Sequence, residues 1–235
     1  MEYFYPIGND PENEPLLELL PNGYMFASKI FYPFIMMPKL WHSSNSEIPH
    51  KYYPVKEDIL KFGKPLTWEE LRKSSGLRNI AEMSIAVTAA LTGAEYCRKV
   101  YRRPDLSNKL ENHLVENIYF PLEDQFSVLL MRDMLSVLAS NGAKRIKFAT
   151  ISGEQGTYKI SDINAEMIIK LCSEPITICD ENKDFIFTCN FDEVAAVFSA
   201  KKDCRELLTR NHLEGIIFDE KTPLVWENYN YFLLK

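Results

Sequence analysis

The sequence predicts an α+β protein: an antiparallel sheet built from repeated strand-strand-helix (ββα) units, packed with a helical layer and with an extended N-terminal arm rich in aromatic residues and proline. Three observations predict it. From Lys147 to Lys202 one pattern occurs twice at a spacing of thirty residues, first as KFATISGEQGTYKISDINAEMIIKL and then as TICDENKDFIFTCNFDEVAAVFSAK, so that Asp162 aligns with Asp192, Ala165 with Ala195 and Ile168 with Phe198. Residues 66–141 carry helix-type capping and apolar runs. Residues 1–65 hold nine of the thirteen prolines and twelve of the twenty-nine aromatic residues, a mixture that blocks long helices. The organisation expected is therefore an arm over 1–65, a helical region over 66–141 and a sheet region over 142–235, folded together as one compact unit.

The arm reads as extended and irregular, with one short helix around Pro15 to Leu20. Its rings at Phe26, Phe31, Tyr32, Phe34 and Trp41 are too apolar for a solvated tail, since each large side chain contributes roughly 1.5–3 kcal/mol when fully buried. They are expected to pack on the core. Thr67-Trp68-Glu69-Glu70 fits a capping box, in which the Thr67 hydroxyl accepts from the Glu70 amide and the Glu70 carboxylate reaches back. A long helix is predicted from Asn79 to Arg103, ended by Pro104. Another begins near Leu106, breaks at Pro121 and continues from Leu122 to Ser140, where Asn141-Gly142 supplies a left-handed stop. Apolar residues on nearly every face of that last segment mark it as the buried centre.

In the sheet region, Gly153 to Gly156 and Asp180 to Asp184 read as hairpin loops. Asp162 and Asp192 stand where helix N-caps are expected, each followed by an apolar helix. A third strand pair, LEGIIFD and TPLVWEN, follows, with Pro223 suited to an edge strand because it cannot donate to a ladder.

Composition narrows the function class. With 46% hydrophobic and 26% charged residues the chain reads as an ordinary globular protein, and no apolar run reaches the roughly 18–20 residues of a membrane span. An acidic, proline-bearing beginning without a basic-then-apolar segment predicts a cytoplasmic protein. The net charge of −6, with no strongly basic stretch, argues against nucleic acid as the partner. Cys97, Cys172, Cys179, Cys189 and Cys204 are odd in number and form no Cys-x-x-Cys, so they read as reduced, buried thiols.

No catalytic, metal or nucleotide motif is complete. Gly153-x-x-Gly156 lies between two strands and not before a helix. Asp180, Asn182 and Asp184 match the start of a calcium loop, but Phe185 and Phe191 replace its glycine and its bidentate glutamate. His113 and Glu116 form a single reversed pair where a di-iron bundle needs two Glu-x-x-His pairs. The run Arg98-Lys99-x-x-Arg102-Arg103 suits the last turn of a helix. Neither metal nor cofactor is expected. Arg132 and Asp133 interrupt an apolar helix, where each needs a partner or a route to solvent.

Glu214-Gly215 before an apolar strand, Asp219 and Thr222 at a turn, and Trp226 make roughly the last forty residues resemble the C-terminal segment of small cytosolic bacterial proteins grouped as domains of unknown function. The acidic α+β character also resembles that of the immunity proteins that neutralise toxins. The resemblance implies no catalytic residue. The function expected is a non-catalytic protein-interaction module, immunity-like in kind, with an unknown protein partner or a second copy of itself in a homodimer. The alternative is an enzyme or small-molecule-binding protein with a pocket between the arm and the helices, near Trp41, His42, His50 and Arg132.

Overall fold

The computed structural model describes residues 1–10, 13–41, 53–92, 102–115, 117–225 and 232–233. The chain divides into two compact units: Met1–Tyr32, Leu122–Val225 and Tyr231–Lys235 form one, Pro33–Pro121 and Trp226–Asn230 the other. Their boundaries do not coincide with 65 and 141.

The first unit is built on an antiparallel sheet. Its strands are β1 (Phe26–Phe31), β5 (Arg145–Thr150), β6 (Gln155–Lys159), β7 (Ile176–Asp180), β8 (Phe185–Thr188), β9 (Ala195–Ala200), β10 (Gly215–Ile217) and β11 (Phe232–Leu233). They are ordered β11-β10-β1-β9-β8-β7-β5-β6. Helices α5 (Met131–Ala139), α6 (Ala165–Leu171) and α7 (Arg205–Arg210) complete the unit. On one face of the sheet Phe198 is fully buried, with ring centroids 6.2 Å from Phe26, 6.0 Å from Phe185 and 4.7 Å from Phe187. Asn141, just past α5, donates to Asp180 Oδ2, which places the end of that helix on the same face. Gly142, at φ 88°, ends the helix as the Asn-Gly pair predicts.

The second unit has a three-stranded sheet, β3 (Lys64–Leu66), β2 (Phe34–Met36) and β4 (Ile118–Tyr119), with β2 in the middle. Its helices are α1 (Lys56–Phe62), α2 (Trp68–Ser75), α3 (Ile80–Thr92) and α4 (Pro104–Glu111). The capping box is present at α2: Glu70 N–H donates to Thr67 Oγ1 and Thr67 N–H to Glu70 Oε2. Phe34 is fully buried, edge-on to Trp68 and against Phe120.

The α+β class with antiparallel sheets holds, and five expectations within it are corrected. The second copy of the repeat does not end in a helix: Ala195–Ala200 is strand β9, buried at every position and paired with β1 and β8. Neither aspartate is a helix cap. Asn164 caps α6 by accepting from Met167 N–H, while Asp192 sits at φ 58° and its N–H donates to Asp124 Oδ1 at 2.6 Å.

The arm is not irregular throughout, because Phe26–Phe31 pairs on both sides, with β9 and β10. The close approach of β10 needs Gly215, where a Cβ would fall 2.0 Å from Lys29 O. The helix predicted from Leu122 is formed only from Met131, with Arg132 and Ser136 exposed, so it has a wet face. Of the third strand pair, β10 forms, but Pro223 lies in an isolated bridge with Pro15 outside the named strands, and Trp226 to Asn228 lie outside the described residues.

Candidate functional site

Two places in the first unit concentrate polar groups. The first is the sheet face opposite Phe198. Period-two alternation along the paired strands puts Lys29, Val197, Thr188 and Thr177 in one row across β1, β9, β8 and β7. The N-terminal residues lie along this row. Phe4 N–H donates to Thr177 Oγ1 at 2.9 Å, and the hydroxyls of Thr177 and Thr188 both reach Phe4 O, at 2.8 and 2.6 Å. Tyr3 OH donates to Cys189 O, and Met1 Sδ lies 3.3 Å from Cys179 Sγ.

At the far end of the row Lys29 Nζ lies 3.4 Å from Glu193 Oε2, with the two side chains 7% and 9% exposed. Lys29 also donates to Val225 O, and Tyr5 OH to the other Glu193 oxygen. Burial pushes the Glu193 carboxyl above the ordinary carboxylate range, against the pull of the Lys29 ammonium. Burial likewise raises Tyr5, with the Glu193 charge adding to it. Glu123 is raised by burial and then by the nearby Asp124, Asp192 and Glu193.

Such a cluster of perturbed acids resembles a reactive centre; within it Lys29 and Tyr5 are both engaged with the Glu193 carboxylate. The Cys189 thiol is fully buried against Tyr32, and burial pushes it up to about 12, which disfavours the thiolate that nucleophilic attack needs. Cys204 is pushed to about 11, also by burial. Asp180 is fully buried and accepts from the amides of Asn182, Asp184 and Phe185, so it serves the β7–β8 turn. Among the described residues no group of three or more His, Cys, Asp or Glu side chains could hold a metal ion.

The second place is the open edge of the sheet at β6, where exposed and half-buried residues alternate. Hydrogen bonds from Thr150 N–H to Glu154 O and from Ile160 N–H to Lys144 O bracket its pairing with β5. Antiparallel alternation then turns the N–H and C=O groups of Gly156 and Tyr158 towards β5, and those of Gln155, Thr157 and Lys159 outward. The ring of Phe148 lies over Gly156, where a Cβ would meet it at 2.5 Å.

The family described as "Protein of unknown function (DUF2711)" matches residues 12–228. The chain belongs to that family. The "Uncharacterized protein YwbB" of Bacillus subtilis (strain 168) is 30% identical over 218 residues, covering 92% of this chain and 96% of the relative. No solved structure matches the chain. The DUF2711 match extends far beyond the C-terminal block that carried the resemblance in the sequence, and takes in Lys29, Thr177, Thr188, Glu193 and β6, but not Tyr3, Phe4 or Tyr5.

Of the residues singled out from the sequence for a pocket, Trp41 and Arg132 are among those described. Trp41, partly buried in the second unit, donates from Nε1 to Asp58 Oδ2 at 3.3 Å and meets Tyr119 edge-on. Arg132 belongs to the first unit and is exposed on α5. His42 and His50 lie outside the described residues, as do Cys97, Arg98, Lys99 and Glu116. Sequence reasoning missed Lys29 and Glu193, although a lysine inside the apolar strand FASKIF was a usable signal.

Proposed function

We propose that this DUF2711 protein is a non-catalytic, cytoplasmic protein-interaction module that engages its partner through the open edge of the first unit's sheet. The observation that carries the reading is β6, an exposed strand with three residues whose backbone groups point outward. Such an edge is a template for an added strand, which is why isolated proteins so often cover it. The chemistry-bearing side chains support the same reading, because the buried Lys29–Glu193 pair and the raised thiols serve packing and internal hydrogen bonds. Among the described residues no helix is long and apolar enough to cross a membrane.

Site-specific photo-crosslinking tests this in the cells that produce the protein. A photoreactive amino acid at Gln155 is expected to trap a discrete protein, while one at Glu206 on α7 traps none. Equal labelling from both positions, or none from Gln155, overturns the reading.

A further inference from the structure

Resting on that interaction reading, we propose that β6 takes an acidic, extended segment of another protein as the next strand of its sheet. Charge and register point to this class of partner. Cross-strand pairing sets Arg145 opposite Lys159 and Lys147 opposite Thr157, and alternation puts all four side chains on one face. Two like charges directly opposite are destabilising, and both Arg145 and Lys159 are exposed.

Among the described residues neither Arg145 nor Lys159 forms an ion pair. Glu154 is paired with Lys170, and the Glu181 carboxylate accepts from Lys144 N–H, while Lys147 Nζ donates to the Glu181 backbone oxygen. A cationic row therefore borders the open backbone of a chain whose net charge is −6. An added strand with carboxylates on that face supplies the missing charge at the spacing of alternate residues, and its backbone meets the outward groups of Gln155, Thr157 and Lys159. Pairing of β6 with the β6 of a second copy does not fit, because β6 contains no Asp or Glu and two such strands would add positive charge to positive charge.

The test uses the full chain with acetyl-(Glu-Val)4-amide, its (Lys-Val)4 counterpart and inorganic polyphosphate as probes, read by amide chemical shifts and hydrogen exchange. The acidic peptide is expected to shift the amides of Gln155, Thr157 and Lys159 and slow their exchange. Lys159→Glu is expected to weaken its binding at least about tenfold, as is Thr157→Pro, which removes an outward donor and follows the permissive Gly156.

Thr157→Val keeps that N–H and is expected to bind normally, and unchanged thermal midpoints confirm that each variant folds. Equal binding of the basic peptide overturns the charge argument. Affinity that survives Thr157→Pro, or polyphosphate competing as well in that variant as in the parent, reduces the site to a cation patch and overturns strand addition. No effect at β6 overturns both. A protein trapped at Gln155 without acidic-peptide binding defeats this inference alone. Acidic-peptide binding without a trapped protein defeats the interaction reading.

Discussion

Residues 165–171 and 195–200 follow the same hairpin pattern, yet the first is helix α6 and the second is strand β9 in the centre of the sheet. The aligned positions show why. Asn164 caps α6, and the equivalent residue is Val194, which has no side-chain acceptor for a helix amide. Glu166 and Lys170 give α6 an exposed face, and Ala196 and Ala200 stand in their places. AAVFSA has no face to turn to water, so it is stable only where both of its sides are covered. A strand between β1 and β8 provides that and also satisfies its backbone on both edges. A shared apolar rhythm over six or seven residues does not distinguish helix from strand; the cap and the polar face do.

The largest test of the comparison moves the first copy's charge into the second. Ala196→Glu places a carboxylate at a fully buried position on the Phe198 face, with a cost of several kcal/mol against a net stability of about 5–15 kcal/mol. We expect loss of cooperative unfolding in urea, and a stable, soluble Ala196→Glu protein would show that β9 can turn a face to solvent. The mirror change, Glu166→Ala on exposed α6, is expected to stay within about 0.5 kcal/mol of the parent.

Glu193, just before β9, gives a pH test. Its carboxyl is raised above its ordinary value of 4.5, chiefly by burial, in the company of Lys29, Tyr5 and Asp192. The folded chain therefore holds this proton more tightly than the unfolded chain. The stabilisation is full below 4.5 and is lost as pH rises through the raised value. Glu193→Gln should flatten that fall in the urea midpoint, whatever it does to the absolute stability through Lys29. An unaltered slope would assign the pH dependence elsewhere.

The smaller effect belongs to the cap. Asn164→Ala is expected to cost about 1 kcal/mol through the lost acceptor for Met167 N–H, whereas Asp162→Ala should cost less, since the structure gives its side chain no helix amide. Equal losses would restore the aspartate as the cap.

Local chemistry in the sequence determined the α+β class, the capping box at Thr67, the left-handed stop at Gly142 and the hairpins β5–β6 and β7–β8. Each rests on interactions between near neighbours, where residue type dictates geometry. The mostly buried fate of the aromatic arm also followed from composition, because Phe26, Phe31, Tyr32 and Phe34 carry too much apolar surface to leave in water. Only the tertiary structure decided that Ala195–Ala200 is a strand, that Phe26–Phe31 joins it from the other end of the chain, and that Lys29 meets Glu193. Those outcomes depend on pairing partners more than a hundred residues away, so the cost of burying Lys29 and the gain of covering β9 are set by the assembled sheet and by no local segment.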